Sequence, residues 1–146
     1  MRIRTILYIL GGLLCAVGVT LLLPILCSLY YKDDGLVPLL VTLAVMLGCG
    51  GFLMLCFRRH LSRETPLNHR EGAATVAVAW ISAGLFGALP YMLSGFFPTV
   101  VDAVFESISG FTTTGSSVLA NVEAVPPGLL MWRAMTHWLG GMGIIV

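Results

Sequence analysis

Long apolar runs separated by short polar segments make up almost the whole chain. The runs cover residues 6–31, 36–57, 72–97 and 129–146, and the first three contain no charged residue. At about 1.5 Å per residue, each of these three exceeds the roughly 30 Å needed to cross the hydrocarbon core of a bilayer. The pattern therefore predicts an all-α membrane protein.

A polar turn and a charged loop divide these runs into two predicted domains. The turn at residues 32–35 joins the first two helices into an antiparallel hairpin, and Pro24 is expected to kink the first of them. Residues 58–71 contain four of the chain's eight basic residues and are predicted to form a loop. We place the boundary near Asn68, so that residues 1–68 form a two-helix hairpin and its following loop.

The second predicted domain, residues 69–146, begins with a helix over about residues 70–97 that is expected to bend at Pro90. A last helix is predicted from about residue 127. The chain stops within that apolar run, with no polar flank after it. We therefore expect the sequence to be a fragment.

Between these two helices lies a segment of about 12 residues, 99–110, which is too short to cross a membrane. Thr99 and Asp102 have the spacing of a capping box at its start, although the second position is usually Glu or Gln. Gly110 is expected to end the helix. Such a helix either lies in the membrane interface or re-enters the membrane without crossing it.

Small and hydroxyl residues follow this short helix at Thr112, Thr113, Thr114, Gly115 and Ser116. Non-helical backbone at membrane depth is tolerated only where protein or a water-filled cavity satisfies its polar groups. A row of Thr and Gly backbone carbonyls there is able to hold a dehydrated potassium ion, so these five residues are the candidate potassium site. The segment taken alone also fits a polar loop between two helices, and both interpretations stay open.

Composition narrows the function classes further. The chain is 58% hydrophobic and 10% charged, whereas a soluble domain has about 25% charged residues. Its net charge is +1 and it has no basic stripe with interleaved aromatic residues, so no nucleic-acid partner is expected. No nucleophile–base pair and no nucleotide-binding loop is visible, so neither an enzyme nor a cofactor is expected.

The distribution of basic residues predicts the orientation in the membrane. With the N-terminus and the 58–71 loop in the cytoplasm, that side carries six arginines against two glutamates. The other side carries Lys32 and Arg133 against five acidic residues. The positive-inside rule therefore favours a cytoplasmic N-terminus. The short helix and the segment after it then enter from outside, where the acidic excess raises the local cation concentration.

Two carboxylates, Asp102 and Glu106, lie one turn apart on the same face of the short helix. In one interpretation they form a pair that concentrates cations. In the other, Asp102 caps the helix and Glu106 is a buried, hydrogen-bonded carboxyl that supports the segment after it. We favour the second interpretation, because carboxylates inside a membrane usually pair with protein groups.

Two motifs resemble the Trk/Ktr/HKT potassium-transporter superfamily. Residues 105–115 read FESISGFTTTG, which is similar to the first pore loop of that family, and residues 129–143 read LLMWRAMTHWLGGMG, which is similar to the start of the following helix. The N-terminal hairpin resembles the additional hairpin of the TrkH branch. Ala134 and His137 stand where the family usually has Ser and Gln, which we interpret as variation within the branch.

The resemblance implies a potassium pathway made of four non-identical helix–pore loop–helix repeats in one polypeptide. Thr113, Thr114, Gly115 and Ser116 would form the first repeat's share of the selectivity filter, one quarter of the ring, through their backbone carbonyls. Glycine at position 115 implies a preference for potassium, since family members with serine there admit sodium more readily. The resemblance also implies a homodimer, a cytoplasmic nucleotide-binding regulatory subunit and a place in the bacterial inner membrane.

The leading hypothesis is therefore potassium uptake across the inner membrane, with potassium as the transported substrate. The alternative is a truncated membrane subunit that transports nothing and has a structural or interaction role. One repeat supplies one quarter of the carbonyl ring, so this chain alone is not expected to form a selective pore.

Overall fold

The computed structural model describes residues 3–58, 69–119 and 121–145. Within these residues the chain forms seven α-helices and a short 3-10 helix, with the polar segments as turns between them. The helices are α1 Ile3–Thr20, α2 Leu22–Tyr31, α3 Leu36–Phe57, α4 His69–Gly87, α5 Leu89–Ser94, α6 Val100–Phe111 and α7 Pro127–Ile145, and the 3-10 helix is Val122–Ala124.

The first apolar run is interrupted one turn before its proline. A kink at Pro24 was expected, but α1 ends at Thr20 and α2 begins at Leu22. Pro24 has no N–H to donate to the carbonyl four residues earlier, and its ring crowds that carbonyl, so the helix breaks upstream of the proline. The backbone N–H of Leu21 bonds instead to the Gly18 carbonyl at 3.1 Å, three residues back.

The third run is interrupted in the same way. The bend was expected at Pro90, but α4 ends at Gly87 and α5 begins at Leu89. The carbonyl of Gly87, at the end of α4, accepts a hydrogen bond of 3.0 Å from the indole nitrogen of Trp132 in α7. The break therefore supplies a backbone acceptor to a tryptophan that is completely buried.

The hairpin of α1 and α3 is held together by a close backbone approach. A methyl group placed on Gly50 would lie 2.7 Å from the Gly11 carbonyl oxygen, so glycine is needed where these helices cross. Between α2 and α3, Lys32 adopts a left-handed conformation with φ of 53° and ends α2. The predicted polar turn thus reverses the chain and makes the two helical segments antiparallel.

The hairpin packs against the remainder of the chain through α1 on α4 and α2 on α7. Side chains buried at and around these contacts form one apolar core, which includes the fully buried Leu21, Leu39, Tyr91, Leu129 and Trp132. Many other large apolar side chains face outward, for example Phe52 at 67% exposure and Ile81 at 63%. Three helical segments, Ile3–Tyr31, Leu36–Phe57 and His69–Ser94, are long and apolar enough to cross a membrane, so this outer surface suits contact with lipid.

Residues 59–68 of the basic loop predicted over residues 58–71 are not among the described residues. The prediction was wrong for residues 69–71, which form the first turn of α4. The boundary placed near Asn68 also falls outside the described residues. The division of the chain into residues 1–68 and 69–146 therefore stays a prediction.

Candidate functional site

The short helix α6 begins at a complete capping box. The Thr99 hydroxyl accepts the backbone N–H of Asp102 at 3.1 Å, and the Asp102 carboxylate accepts the Thr99 backbone N–H at 3.1 Å and its hydroxyl at 2.8 Å. Aspartate replaces the usual glutamate or glutamine without loss of either backbone bond. The helix has 12 residues, so it positions the segment after it without crossing a bilayer.

The end of α6 lies one residue later than expected. Gly110 does not stop the helix, because the backbone N–H of Thr112 still bonds to the Ile108 carbonyl at 2.8 Å. The chain turns at Thr113, which has φ of 56°. The N–H groups of Thr113 and Thr114 bond back to the carbonyls of Gly110 and Ser109, at 2.9 and 3.0 Å. This is the Schellman arrangement that closes many helices, with Thr113 in the position that glycine usually occupies.

Thr113 is therefore a strained residue. A β-branched side chain rarely adopts positive φ, and such conformations cost on the order of 1–3 kcal/mol. Gly115, two residues on, also has positive φ, 78°. A methyl group added at Gly115 would meet no atom within 4 Å, so the requirement for glycine there comes from the backbone angle and not from lack of space.

The five predicted site residues, Thr112 to Ser116, are consecutive and all exposed. The carbonyl oxygens at the two ends of this stretch are already engaged. The Thr112 carbonyl accepts the Thr113 hydroxyl at 2.7 Å, and the Ser116 carbonyl accepts the Ser109 hydroxyl at 2.6 Å. Within the described part of the chain, no hydrogen bond reaches the carbonyls of Thr113, Thr114 or Gly115.

The threonine side chains bond to this same end of α6. The Thr112 hydroxyl donates to the Ile108 carbonyl at 2.8 Å and lies 2.8 Å from the Thr114 hydroxyl. These side chains therefore fasten the turn to the helix end. The backbone carbonyls remain the groups that are able to bind an ion.

The carboxylate of Glu106 binds the residues that directly follow the candidate site. This carboxylate is 1% exposed and pairs with the Nε of Arg133 in α7 at 2.5 Å. The same carboxylate accepts the Ser117 hydroxyl at 3.0 Å and the Val118 backbone N–H at 3.1 Å. Together, Glu106 and Arg133 connect α6, α7 and the first residues after the candidate site.

This geometry matches the second of the two interpretations of the carboxylates. Asp102 caps α6, and Glu106 is a buried, hydrogen-bonded support. The partners Arg133, Ser117 and Val118 were not predicted for Glu106. Arg133 could have been assigned, because it is the only arginine or lysine that follows Arg70 and a buried carboxylate needs a cation nearby.

Helix α7 lies directly behind the turn. A methyl group on Gly140 would overlap the backbone carbonyl of Phe111, the last residue of α6. The Phe111 ring also contacts the Trp132 ring, with centroids 6.3 Å apart and an angle of 76°. The close approach at Gly140 and this ring contact fix the end of α6 against α7.

Comparison with known proteins adds family-level evidence. A family model described as TrkH, cation transport protein, matches residues 44–146. The Trk system potassium uptake protein TrkH of Halomonas elongata is 44% identical over 149 residues, which cover 100% of this chain and 30% of the relative. The protein of the same name from Escherichia coli is 38% identical over 148 residues, with the same coverage of both chains.

A solved structure matches as well. The crystal structure of the potassium transporter TrkH from Vibrio parahaemolyticus superimposes with a TM-score of 0.89 at 38% identity, over 99% of this chain and 31% of that one. The chain thus spans about 30% of the length of the curated relatives it matches. The family model, the relatives and the structure agree with the all-helical membrane fold and with the resemblance that the two motifs carry. The chain belongs to the TrkH family of cation transport proteins.

Proposed function

We propose that this chain forms the first quarter of the selectivity filter of a potassium uptake protein. The ion is held by the backbone carbonyls of Thr113, Thr114 and Gly115, and Thr112 and Ser116 fasten the two ends of the segment. The observation that carries the proposal is the strained turn at Thr113, followed by consecutive carbonyls that accept no hydrogen bond from the described residues. Strained backbone conformations cluster at active and binding sites.

Potassium as the substrate follows from the chemistry of the site and from the relatives. Backbone carbonyls replace the hydration shell of potassium in channel filters. The C-terminal end of α6 adjoins these carbonyls, and its partial negative charge favours a cation there. The relatives from Halomonas elongata and Escherichia coli are named as potassium uptake proteins.

The rest of the pathway comes from outside this chain. A potassium filter is a closed ring of carbonyls, and one repeat supplies a quarter of it. The relatives are about three times as long as this chain, which leaves room for three further repeats in the same polypeptide. We place the protein in the bacterial inner membrane with its N-terminus in the cytoplasm, as a homodimer with a nucleotide-binding regulatory subunit.

The test replaces Gly115 by serine in the four-repeat protein and compares potassium with sodium flux in proteoliposomes. Serine at φ of 78° displaces the local backbone and therefore the adjacent carbonyls. We expect the potassium-to-sodium flux ratio to fall at least about tenfold, which corresponds to roughly 1.4 kcal/mol of discrimination.

The matched control is Gly95→Ser. Gly95 also has positive φ, 72°, and also has open space around an added methyl group, but it lies at the end of α5. The control carries the same type of backbone strain and is expected to keep the wild-type flux ratio. An unchanged ratio in Gly115→Ser would reject the proposed filter and favour the structural, non-transporting alternative.

A further inference from the structure

The carboxylate of Asp33, in the turn between α2 and α3, is hydrogen-bonded to the start of α7. One oxygen of Asp33 accepts the Ser28 hydroxyl and, at 2.9 Å, the backbone N–H of Gly35. The other oxygen accepts the backbone N–H of Gly128 at 2.7 Å, 95 residues further along the chain. Asp33 thus joins the hairpin to the first turn of α7.

Packing at this contact is tight. A methyl group added at Gly128 would lie 2.7 Å from the Cβ of Ser28, which is itself completely buried. The Gly128 amide is one of the first-turn N–H groups that have no acceptor within their own helix. A carboxylate at the N-terminus of a helix is also favoured by the helix dipole. Asp33 therefore satisfies a buried donor and fixes where α7 begins.

The position of α7 in turn sets the position of Arg133. Arg133 lies five residues after Gly128, which is about 7.5 Å along a helix. Its Nε contacts Glu106, and Glu106 binds Ser117 and Val118 directly after the candidate filter. A continuous series of hydrogen bonds and helix backbone therefore connects Asp33 to the outgoing end of the filter.

We propose that Asp33 is a positioning residue for the filter. Through Asp33, the N-terminal hairpin influences the geometry of the filter, although the hairpin itself contributes no carbonyl to it. The inference rests on the proposed function, since it assigns Asp33 a role in potassium selectivity. Asp33 does not touch the ion. It acts by holding the start of α7, and through α7 the Arg133–Glu106 pair.

The neighbouring residue Asp34 supplies a matched control. Asp34 is exposed, and its carboxylate accepts none of the hydrogen bonds that Asp33 accepts from Ser28, Gly35 and Gly128. Asp33→Asn and Asp34→Asn remove the same charge from the same turn with almost no change in size. Only Asp33→Asn replaces one of the two carboxylate oxygens by an NH2 group, so a single oxygen cannot serve both Gly128 and the pair of donors from Ser28 and Gly35.

The experiment measures the potassium-to-sodium flux ratio of both variants in proteoliposomes made with the four-repeat protein. We expect Asp33→Asn to lower the ratio at least about threefold and Asp34→Asn to leave it unchanged. A wild-type ratio in Asp33→Asn would overturn the proposal. An equal fall in both variants would overturn it too, because the effect would then come from surface charge alone.

Ser28→Ala is the second variant, for the case in which Asp33→Asn does not accumulate in the membrane. It removes one of the bonds that orient the carboxylate but keeps the carboxylate, and a smaller fall in the same ratio is expected. A wild-type ratio in Ser28→Ala would then reject the proposal. Gly115→Ser is measured in parallel, so that the proposed filter and the role of Asp33 are tested separately. If the flux ratio falls in Gly115→Ser but not in Asp33→Asn or Ser28→Ala, only the role of Asp33 is rejected.

Discussion

Glu106 and Arg133 are opposite charges in a chain with few of them, and they meet at a place where water is excluded from the carboxylate. Glu106 is 1% exposed, whereas Arg133 keeps 26% of its side-chain surface. Removing water from a carboxylate is unfavourable unless a cation and further donors replace it. Arg133, Ser117 and Val118 together provide that replacement.

Arg133→Gln is expected to destabilise the protein by about 3 kcal/mol, since it leaves Glu106 as an uncompensated buried charge. Denaturant unfolding of the purified protein in detergent measures the loss. The double variant Glu106→Gln with Arg133→Gln removes both charges and is expected to recover a large part of it. Equal stability of Arg133→Gln and the wild type would contradict the role assigned to the pair.

The Glu106–Arg133 pair also shows what sequence reasoning leaves undetermined at this scale. The interpretation of Glu106 as a buried support followed from the cost of a charge inside a membrane. Arg133 was identifiable as the only later arginine or lysine, but its contact with Glu106, 27 residues away, depends on the packing of α6 against α7. Ser117, 11 residues away, did not follow, because it reaches the carboxylate only through the fold of the segment after α6. The left-handed turn at Thr113 was equally hidden, since a β-branched residue argues against positive φ.

At the scale of elements, the helical segments were mostly predicted correctly from the sequence. The positions at which the long helices are interrupted were predicted less well. Proline marked both interruptions, but each break lies upstream, at Leu21 for Pro24 and at Ala88 for Pro90. The reason is that a proline cannot donate a hydrogen bond to the carbonyl four residues earlier, so the helix is interrupted on the N-terminal side of the proline. The capping box of α6 was predictable, because it depends only on two residues three positions apart.

Thr99→Ala tests the importance of this cap for α6. The variant removes the acceptor for the Asp102 N–H and one of the two donors to the Asp102 carboxylate, and loss of such a cap costs about 1 kcal/mol. Thr99→Ser keeps the hydroxyl and serves as the control. We expect denaturant unfolding to show the loss for alanine only; equal stability of the two variants would mean that the cap does not hold α6.

At the scale of the whole molecule, composition and hydropathy were enough for the membrane class and the helical fold. They do not fix how the hairpin packs against the second part of the chain. That packing depends on Asp33 reaching the Gly128 amide and on small residues at helix crossings, such as Gly11 against Gly50. Both are contacts between residues far apart in sequence, and no local pattern indicates them.

The predicted orientation is open to a direct labelling test. With native cysteines replaced, a cysteine at Asp34 is expected to react with a membrane-impermeant maleimide added outside intact cells. A cysteine at His69, on the other predicted side, should react only after the cells are permeabilised. Both positions are exposed in the structure, so accessibility within the fold does not limit either reaction. The reverse labelling pattern would place the N-terminus outside.

The central claim is that the carbonyls after α6 bind the transported ion. Crystals of the proposed four-repeat protein grown with thallium, an electron-rich substitute for potassium, test it most directly through anomalous scattering. We expect an anomalous peak in contact with the carbonyl oxygens of Thr113, Thr114 and Gly115. Thallium peaks elsewhere along the pathway, with none at these three carbonyls, would contradict it.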